Sequence, residues 1–325
     1  AEVFTGTPMY DKCWQHADNI IQRHKGGFKG SGLANDYLAL FCASNDKFAP
    51  GGSLQDQNEI LWTIPYEYPY TESYGGTMFF IAAATSAASM PTVLYGLNAD
   101  WSCMHAREQF ADKFNFTDGV SADGRTYLWC TEKQGFTKEN DEFSVFTSGY
   151  AAIKYTNVKA DKNGMLPRKT YVDSERGFTF NWAGIGEVNG LPAQTQEFAN
   201  SDFPIIRLAD VYLMAAECSL RGAGHKTQGL EYVNYIRSRA GVNAWGDANF
   251  TLDNLLDERC RELYWENVRR TDLIRFNKFT GSSYTWAWKN NMRNGGAIPE
   301  YMNLFPLPSD VVATYGSNMK QNPGY

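Results

Sequence analysis

The stretch Phe203–Phe279, FPIIRLADVYLMAAECSLRGAGHKTQGLEYVNYIRSRAGVNAWGDANFTLDNLLDERCRELYWENVRRTDLIRFNKF, decides the fold. It reads as three helices with short connections. The first starts after Pro204: Ile205, Leu208, Val211, Tyr212, Ala215 and Cys218 recur at three- and four-residue steps, and Gly222 stops it. The second covers roughly 229–240, with Leu230, Val233 and Ile236 on one face and Gly241 as the breaker. The third opens where Thr251 or Asp253 can cap and is predicted to continue to about Phe279. Leu255, Leu256, Cys260, Leu263, Tyr264 and Asn267 lie along one side of it. Helices joined this tightly lie as antiparallel neighbours, so residues 203–279 are predicted to be a core helical stack.

Charged residues are threaded through the stack. Arg207 and Glu217 are ten residues apart, close to three turns, so both can point the same way. Arg237 and Arg239 end the second helix, where positive charge suits the dipole. On the third, Arg259, Glu262, Glu266 and Arg269 or Arg270 fall at steps of three and four, with Asp272 and Arg275 beyond. The rigid fork of a guanidinium fits carboxylates in a partly buried network. That structural reading outweighs a catalytic acid pair or an anion site, because every carboxylate in the set has an arginine at partner spacing.

The segments RLADVYLMAAECSLRG, YVNYIRSRAGVNAW, LLDERCRELYWENVRRTDLIRFNKF and the closing FPLPSDVVATYGSNMKQNPGY together resemble the SusD/RagB family of outer-membrane nutrient-binding lipoproteins. RSRAG at 237–241, VRRTDLIRF at 268–276 and the final NPGY are specific in combination. The opening AEVFTGTPMYDKCWQHADNII is similar to a mid-chain helix of that family, and the middle matches only in order and spacing. The resemblance implies a mainly α fold of tetratricopeptide-like helical hairpins with extended loops and a few short strands, one SusD-like domain over 1–325, and a loop-rich ligand-binding excursion over 60–200. It implies a SusC-like TonB-dependent outer-membrane transporter as partner and an oligosaccharide as ligand, with peptide-binding relatives as the nearest alternative. It also implies a lipid-bearing cysteine and several helices ahead of the point where this chain begins, so membrane association is expected only through an anchor that this chain lacks.

Composition agrees with a binding protein. The 325 residues carry a formal charge of -6 with short, mixed charge runs, which offers no broad basic surface to nucleic acid. The 9 Trp, 19 Tyr and 20 Phe exceed what a helical core requires, and aromatic surfaces commonly take flat apolar ligand faces. No run of 18 apolar residues exists to span a bilayer as a helix. The alanine-rich segment Met78–Met90 reads as a buried or ligand-lining helix. The 6 cysteines fit no zinc or CxxC spacing, and Cys13, Cys218 and Cys260 are expected to be buried on helix faces.

Outside the stack, Thr7 and Pro8 are expected to start a helix with Trp14, Ala17 and Ile21 inward. Residues 59–68 read as extended, with Ile60, Trp62 and Ile64 alternating, and strands are predicted near 127–131 and 151–157. The glycines at 184, 186 and 190 do not form a dinucleotide fingerprint. If Trp286 and Trp288 lay in a strand they would share a face.

No HExxH, GxSxG or Cys/His cluster at metal spacing is present, so no catalytic residue, metal or cofactor is assigned. Carboxylate pairs such as Asp118 with Asp123, or Glu139 with Glu142, lack the apolar setting that raises a catalytic acid. The oxygen-rich loop Asn243–Asn249 with Asp247 lacks the EF-hand order. Pyranose rings present C–H faces that stack on Trp and Tyr, while Asn, Asp and Arg bond their hydroxyls. Three places have that composition: Tyr66, Tyr68, Tyr70 and Tyr74; Asn98 with Trp101; and Asn181 and Trp182 with Asn189. Packing is the competing role for each tryptophan. The rival functions are a glycoside hydrolase and a helical protein–protein adaptor.

Overall fold

The computed structural model describes residues 6–85, 95–116, 121–129, 133–134, 149–173, 178–183, 187–188, 191–192 and 196–325. They fall into two compact units that divide between Glu266 and Asn267. In chain order the first unit holds α1 (Tyr10–Arg23), β1 (Ile60–Ile64), α2 (Gly76–Ala84), α3 (Glu108–Ala111), β2 (Lys133–Gln134), β3 (Gly149–Tyr150), β4 (Arg168–Asp173), β5 (Phe178–Ala183), β6 (Glu187–Val188), β7 (Leu191–Pro192) and β8 (Phe203–Arg207). It continues with α4 (Leu208–Cys218), α5 (Lys226–Arg239) and α6 (Leu252–Leu263). Among the described residues the strands pair as antiparallel two-stranded ribbons: β1 with β8, β2 with β3, β4 with β5, and β6 with β7. The architecture is mainly α.

Helical periodicity translates directly into packing. Trp14, Ala17 and Ile21 are the buried stripe of α1, Val233 and Ile236 of α5, and Leu255 and Leu256 of α6. Trp14 stacks on His225 at 4.7 Å and on Tyr232 at 5.8 Å, tying α1 to the start of α5. Gly229 lets α5 close on the end of α4: a Cβ there would stand 2.2 Å from the Ser219 hydroxyl. Thr251 caps α6 by accepting from the Asn254 N–H. Around this stack Leu38–Phe41, Phe80, Tyr155 and Phe203 build the core, with Phe80 stacked on Tyr155 at 5.4 Å.

Several expectations are corrected. Residues 203–207 are strand, and α4 begins only at Leu208. Pro204 has no N–H, Ile205 and Ile206 are β-branched, and β1 offers a pairing edge, so extended backbone wins. Irregularities between Ile60 and Trp62, and between Trp62 and Thr63, break the alternation of β1: Ile60 is buried, but Trp62 and Ile64 are exposed. The third helix stops at Leu263, where Trp265 and Asn267 take left-handed conformations, and helix resumes only at Arg269. Tertiary contacts cause the break: the Trp265 indole donates to the Ala152 carbonyl at 2.8 Å, and Tyr264 is buried against Phe110 and Phe114. Residues 124–126 are a 3-10 turn and 151–157 a buried irregular run, so neither expected strand forms among the described residues. Cys218 and Cys260 are buried, but Cys13 is exposed. Thr7 and Pro8 precede α1, whose N-cap is Met9.

In the second unit, α7 (Arg269–Arg275) and α8 (Ser309–Tyr315) are joined by turns. Arg270 lies over the Phe279 and Phe305 rings, at 4.7 and 3.9 Å, and donates to the Met302 carbonyl at 2.7 Å. Arg275 pairs with Asp272 at 2.7 Å. The closing NPGY docks here: Gly324, at φ +96°, leaves room for Tyr301, which a Cβ would meet at 2.4 Å. Trp286 and Trp288 sit in a loop rather than a strand, with Trp288 left-handed.

Candidate functional site

The charged residues of the first unit form a buried lattice. Ribbon β1–β8 sets Glu59 beside Arg207, and α6 brings Glu258 and Glu262 to the same place, with Glu266 beyond its end. Arg207 donates from Nε and Nη2 to both Glu266 oxygens at 2.7 and 2.8 Å, and from Nη1 to Glu59 at 2.6 Å and Glu262 at 3.1 Å. Arg239 reaches Glu59 and, at 2.5 Å, Glu262. Arg125 joins Asp123, Glu258 and Glu262, while Arg237 and Arg261 hold the outer Glu258 oxygen. Lys154 donates to Glu266 at 2.6 Å and lies 4.2 Å from the Phe41 ring centroid.

The titration of these groups follows from their surroundings. Burial pushes Glu258 up, but Arg125, Arg261 and Arg237 outweigh it and hold the carboxyl at about 2. Burial likewise opposes ionisation of Glu266, and Arg207 with Lys154 nevertheless keeps it below the ordinary range. For Lys154 burial prevails over the pull of Glu266, and the ammonium drops to about 7. Carboxylates locked to guanidinium groups inside a core do not serve as acid and base toward a substrate.

Of the other predicted network members, Glu217 pairs with Arg221 at 2.8 Å instead of Arg207. The reason is that Arg207 belongs to a strand, so helical spacing does not relate it to Glu217. Arg259 pairs with Asp210 at 2.7 Å. Arg270, Asp272 and Arg275 belong to the second unit. Sequence reasoning missed Glu59, Arg125, Lys154 and Glu258.

The aromatic candidates gather elsewhere, in a run of five rings. Tyr68 meets Phe198 at 6.0 Å, Phe198 meets Tyr74 at 5.1 Å, Tyr74 meets Trp101 at 6.2 Å, and Trp101 meets Phe79 at 6.0 Å. Successive planes from Phe198 to Phe79 are inclined by 50 to 56°, so the rings present a curved apolar surface rather than a stack. Phe198 is its buried floor, Trp101 is half-buried, Phe79 is partly open, and Tyr74 is 62% exposed. Tyr70, 85% exposed, stands in the same loop.

The backbone around these rings is firmly held. Trp101 donates its N–H to Ala82 at 2.8 Å, and Cys103 and Met104 both donate to Ala83, so the segment is strapped to the end of α2. Asn98 donates its N–H to Gln196 at 3.1 Å and is exposed. Asn200 accepts from the Tyr68 N–H at 2.7 Å, and Asp202 from the Tyr66 N–H at 2.9 Å. Tyr66 has a packing role: its ring covers Gly76, where a Cβ would lie 2.0 Å from the hydroxyl. The backbone of Asn181 and Trp182 lies in β5, opposite Thr170 and Lys169, and Asn189 lies outside the described residues. Phe79 and Phe198 were missed; the apolar run FFIAAA gave only a signal for burial. Among the described residues no group of three His, Cys, Asp or Glu side chains is placed to hold a metal ion.

The SusD family model matches residues 58–325. The chain is 30% identical, over its whole length and 58% of the relative's, to the starch-binding protein SusD of Bacteroides thetaiotaomicron. Surface glycan-binding protein A from Bacteroides thetaiotaomicron superposes with a TM-score of 0.60 at 17% identity, covering 97% of this chain and 59% of that one. The structure of that protein in complex with laminarihexaose gives a TM-score of 0.54 at 17% identity, with 96% and 59% covered. The chain thus spans just under three fifths of the length of these relatives.

Proposed function

The chain belongs to the SusD family, and from that premise we propose that it is a non-catalytic subunit at the cell surface, in the outer membrane, that captures oligosaccharides and passes them to a SusC-like TonB-dependent transporter. The observation that carries the binding half is the five-ring run from Tyr68 to Phe79, partly open and held on rigid backbone. Sugar C–H faces gain by covering such rings, and the tilt between them suits a ligand that curves. The buried lattice supports the non-catalytic half. Its carboxylates are committed to arginines, and Asp202, whose carboxyl burial raises to about 6, is occupied by the Tyr66 N–H. The names of the relatives, starch-binding and glycan-binding, favour a saccharide over a peptide.

Calorimetric titration with maltoheptaose and with laminarihexaose tests the proposal. The expected outcome is saturable binding of at least one, weakened roughly tenfold by Trp101→Ala. Release of reducing sugar by the purified protein would replace this reading by a hydrolase, and failure of wild type to bind any member of a neutral polysaccharide panel would end it.

A further inference from the structure

A cavity of about 530 Å³ opens where the end of α5, the 240–251 loop and the start of α6 meet the segment after α3. Its lining includes Asn115, Arg237, Trp245, Asn249, Asn254 and Arg261, none of which belongs to the five-ring run. The volume lies inside the range of roughly 300–1,000 Å³ typical of small-molecule sites. From this geometry we infer that the chain has a second ligand site here, for a neutral, hydroxyl-rich ligand of the oligosaccharide class; the ligand class rests on the saccharide-binding reading above.

The loop that carries the indole is held in advance. The Trp245 backbone N–H donates to the Asn234 side-chain oxygen at 2.7 Å and the Trp245 carbonyl accepts from the same amide at 3.0 Å, which clamps the loop to α5. The Arg237 guanidinium lies 4.6 Å from the ring centroid. Asn254 donates to the Asn249 carbonyl at 2.8 Å, so the far wall is also fixed. Ordered aromatic and amide groups lose little freedom on binding.

The charges in the wall decide the ligand class. Lys113 is paired with Asp257 at 2.6 Å, Asp123 with Arg125 at 2.6 Å, and Arg237 and Arg261 each with Glu258 at 2.6 Å, while the Asp112 carboxylate stands exposed at the rim. An anionic or cationic ligand would have to compete with these pairs. Hydroxyl groups need not: they accept from guanidinium N–H groups beyond those that Glu258 and the Asn243 and Lys113 carbonyls take, and donate to carboxylate and amide oxygens. Asn115 and Asn249 are exposed, and their amides add donors and acceptors to the rim. An aromatic face ringed by neutral amides and mostly paired charges, with the exposed Asp112 carboxylate as a further hydroxyl acceptor, fits a sugar ring better than a phosphate or a carboxylate.

The experiment is calorimetry of the full chain with laminarihexaose, maltoheptaose and, as the charged arm, hexagalacturonate, on wild type, Trp101→Ala, Trp245→Ala and Asn249→Ala. Wild type is expected to bind two copies of a neutral probe. Trp245→Ala should leave one, with the affinity of the remaining site within twofold of its wild-type value. Asn249→Ala, an exposed change that spares the fold, should weaken only the second site, by threefold or more. One site in wild type that Trp101→Ala removes and both cavity variants leave untouched refutes the second site and spares the proposed function. One site that Trp245→Ala removes and Trp101→Ala leaves intact supports this cavity and refutes the aromatic run. Preference of this cavity for hexagalacturonate overturns the neutral class, and no binding of any probe overturns both readings.

Discussion

Arg207 has five N–H donors, and five bonds use them: two to Glu266, one to Glu59, and one each to the side chain and carbonyl of Glu262. Removing the guanidinium strands buried negative charge at a point that three segments share. Arg207→Met is therefore expected to destabilise the protein by about 3–5 kcal/mol in urea unfolding at pH 7. Arg207→Lys should recover only part of that, since a lysine restores charge but not the fork. An unchanged midpoint for Arg207→Met would mean that the lattice is not holding the strand to the helices. Asp202 makes a second test. Burial, with Asp46 and Glu67 adding to it, raises the carboxyl to about 6 against the opposing Tyr66 N–H. The unfolded value is about 3.9, so between the two the native state binds more protons than the unfolded one. This contribution is full below about pH 4 and disappears as pH climbs through about 6. Asp202→Asn keeps an acceptor for the Tyr66 N–H without the charge. The variant should melt higher than wild type at pH 7.5 and lose the advantage near pH 4; the same difference at both pH values would exclude this titration as the cause.

At the scale of elements, the tyrosine loop depends on how α2 begins. Gly76 has φ +58°, and a Cβ there would meet the Tyr66 hydroxyl at 2.0 Å. Gly76→Ala is thus expected to cost roughly 1 kcal/mol or more from backbone strain and ring displacement. By moving the loop that carries Tyr74, it should also weaken saccharide binding; a lower melting temperature with unaltered affinity would show that Tyr66 and Tyr74 move independently. The same elements show what was readable beforehand. Stripes such as Trp14, Ala17 and Ile21, or Leu255 and Leu256, were legible because burial repeats at the helical period. Tyr74 and Trp101 were legible as aromatic residues in polar, glycine-bearing surroundings. Glu59, Arg125 and Lys154 were not, because the α6-end and β8 groups they meet (Arg207 for Glu59, Glu258 for Arg125 and Glu266 for Lys154) lie far away along the chain, and long-range pairing leaves no local period. Phe198 and Trp245 were missed for the same reason: Tyr74 and Phe198 meet only in the folded chain, and only folding turns the loop after α5 into a cavity wall. The break at 264–268 was invisible because Trp265 leaves helical geometry to reach Ala152.

For the molecule as a whole, the distribution of charge constrains the kind of ligand. The formal charge is -6. Within the first unit Arg125, Lys154, Arg207 and Arg259 are all buried and paired with carboxylates, so these cations contribute no basic surface. A ligand that bound by neutralising its own charges would find few unpaired cations in the cavity wall, and its affinity would fall as salt displaced it. A neutral oligosaccharide releases no condensed counterions, and stacking on Tyr74 and Trp101 does not depend on ionic strength. Raising sodium chloride from about 50 to 500 mM, from a Debye length beyond 10 Å to one of a few ångströms, is therefore expected to leave the dissociation constant for a neutral hexasaccharide within twofold. A loss of tenfold or more over that range would place ion pairing rather than aromatic contact at the centre of recognition. It would also turn attention from the five rings to whichever exposed lysines or arginines the ligand touches.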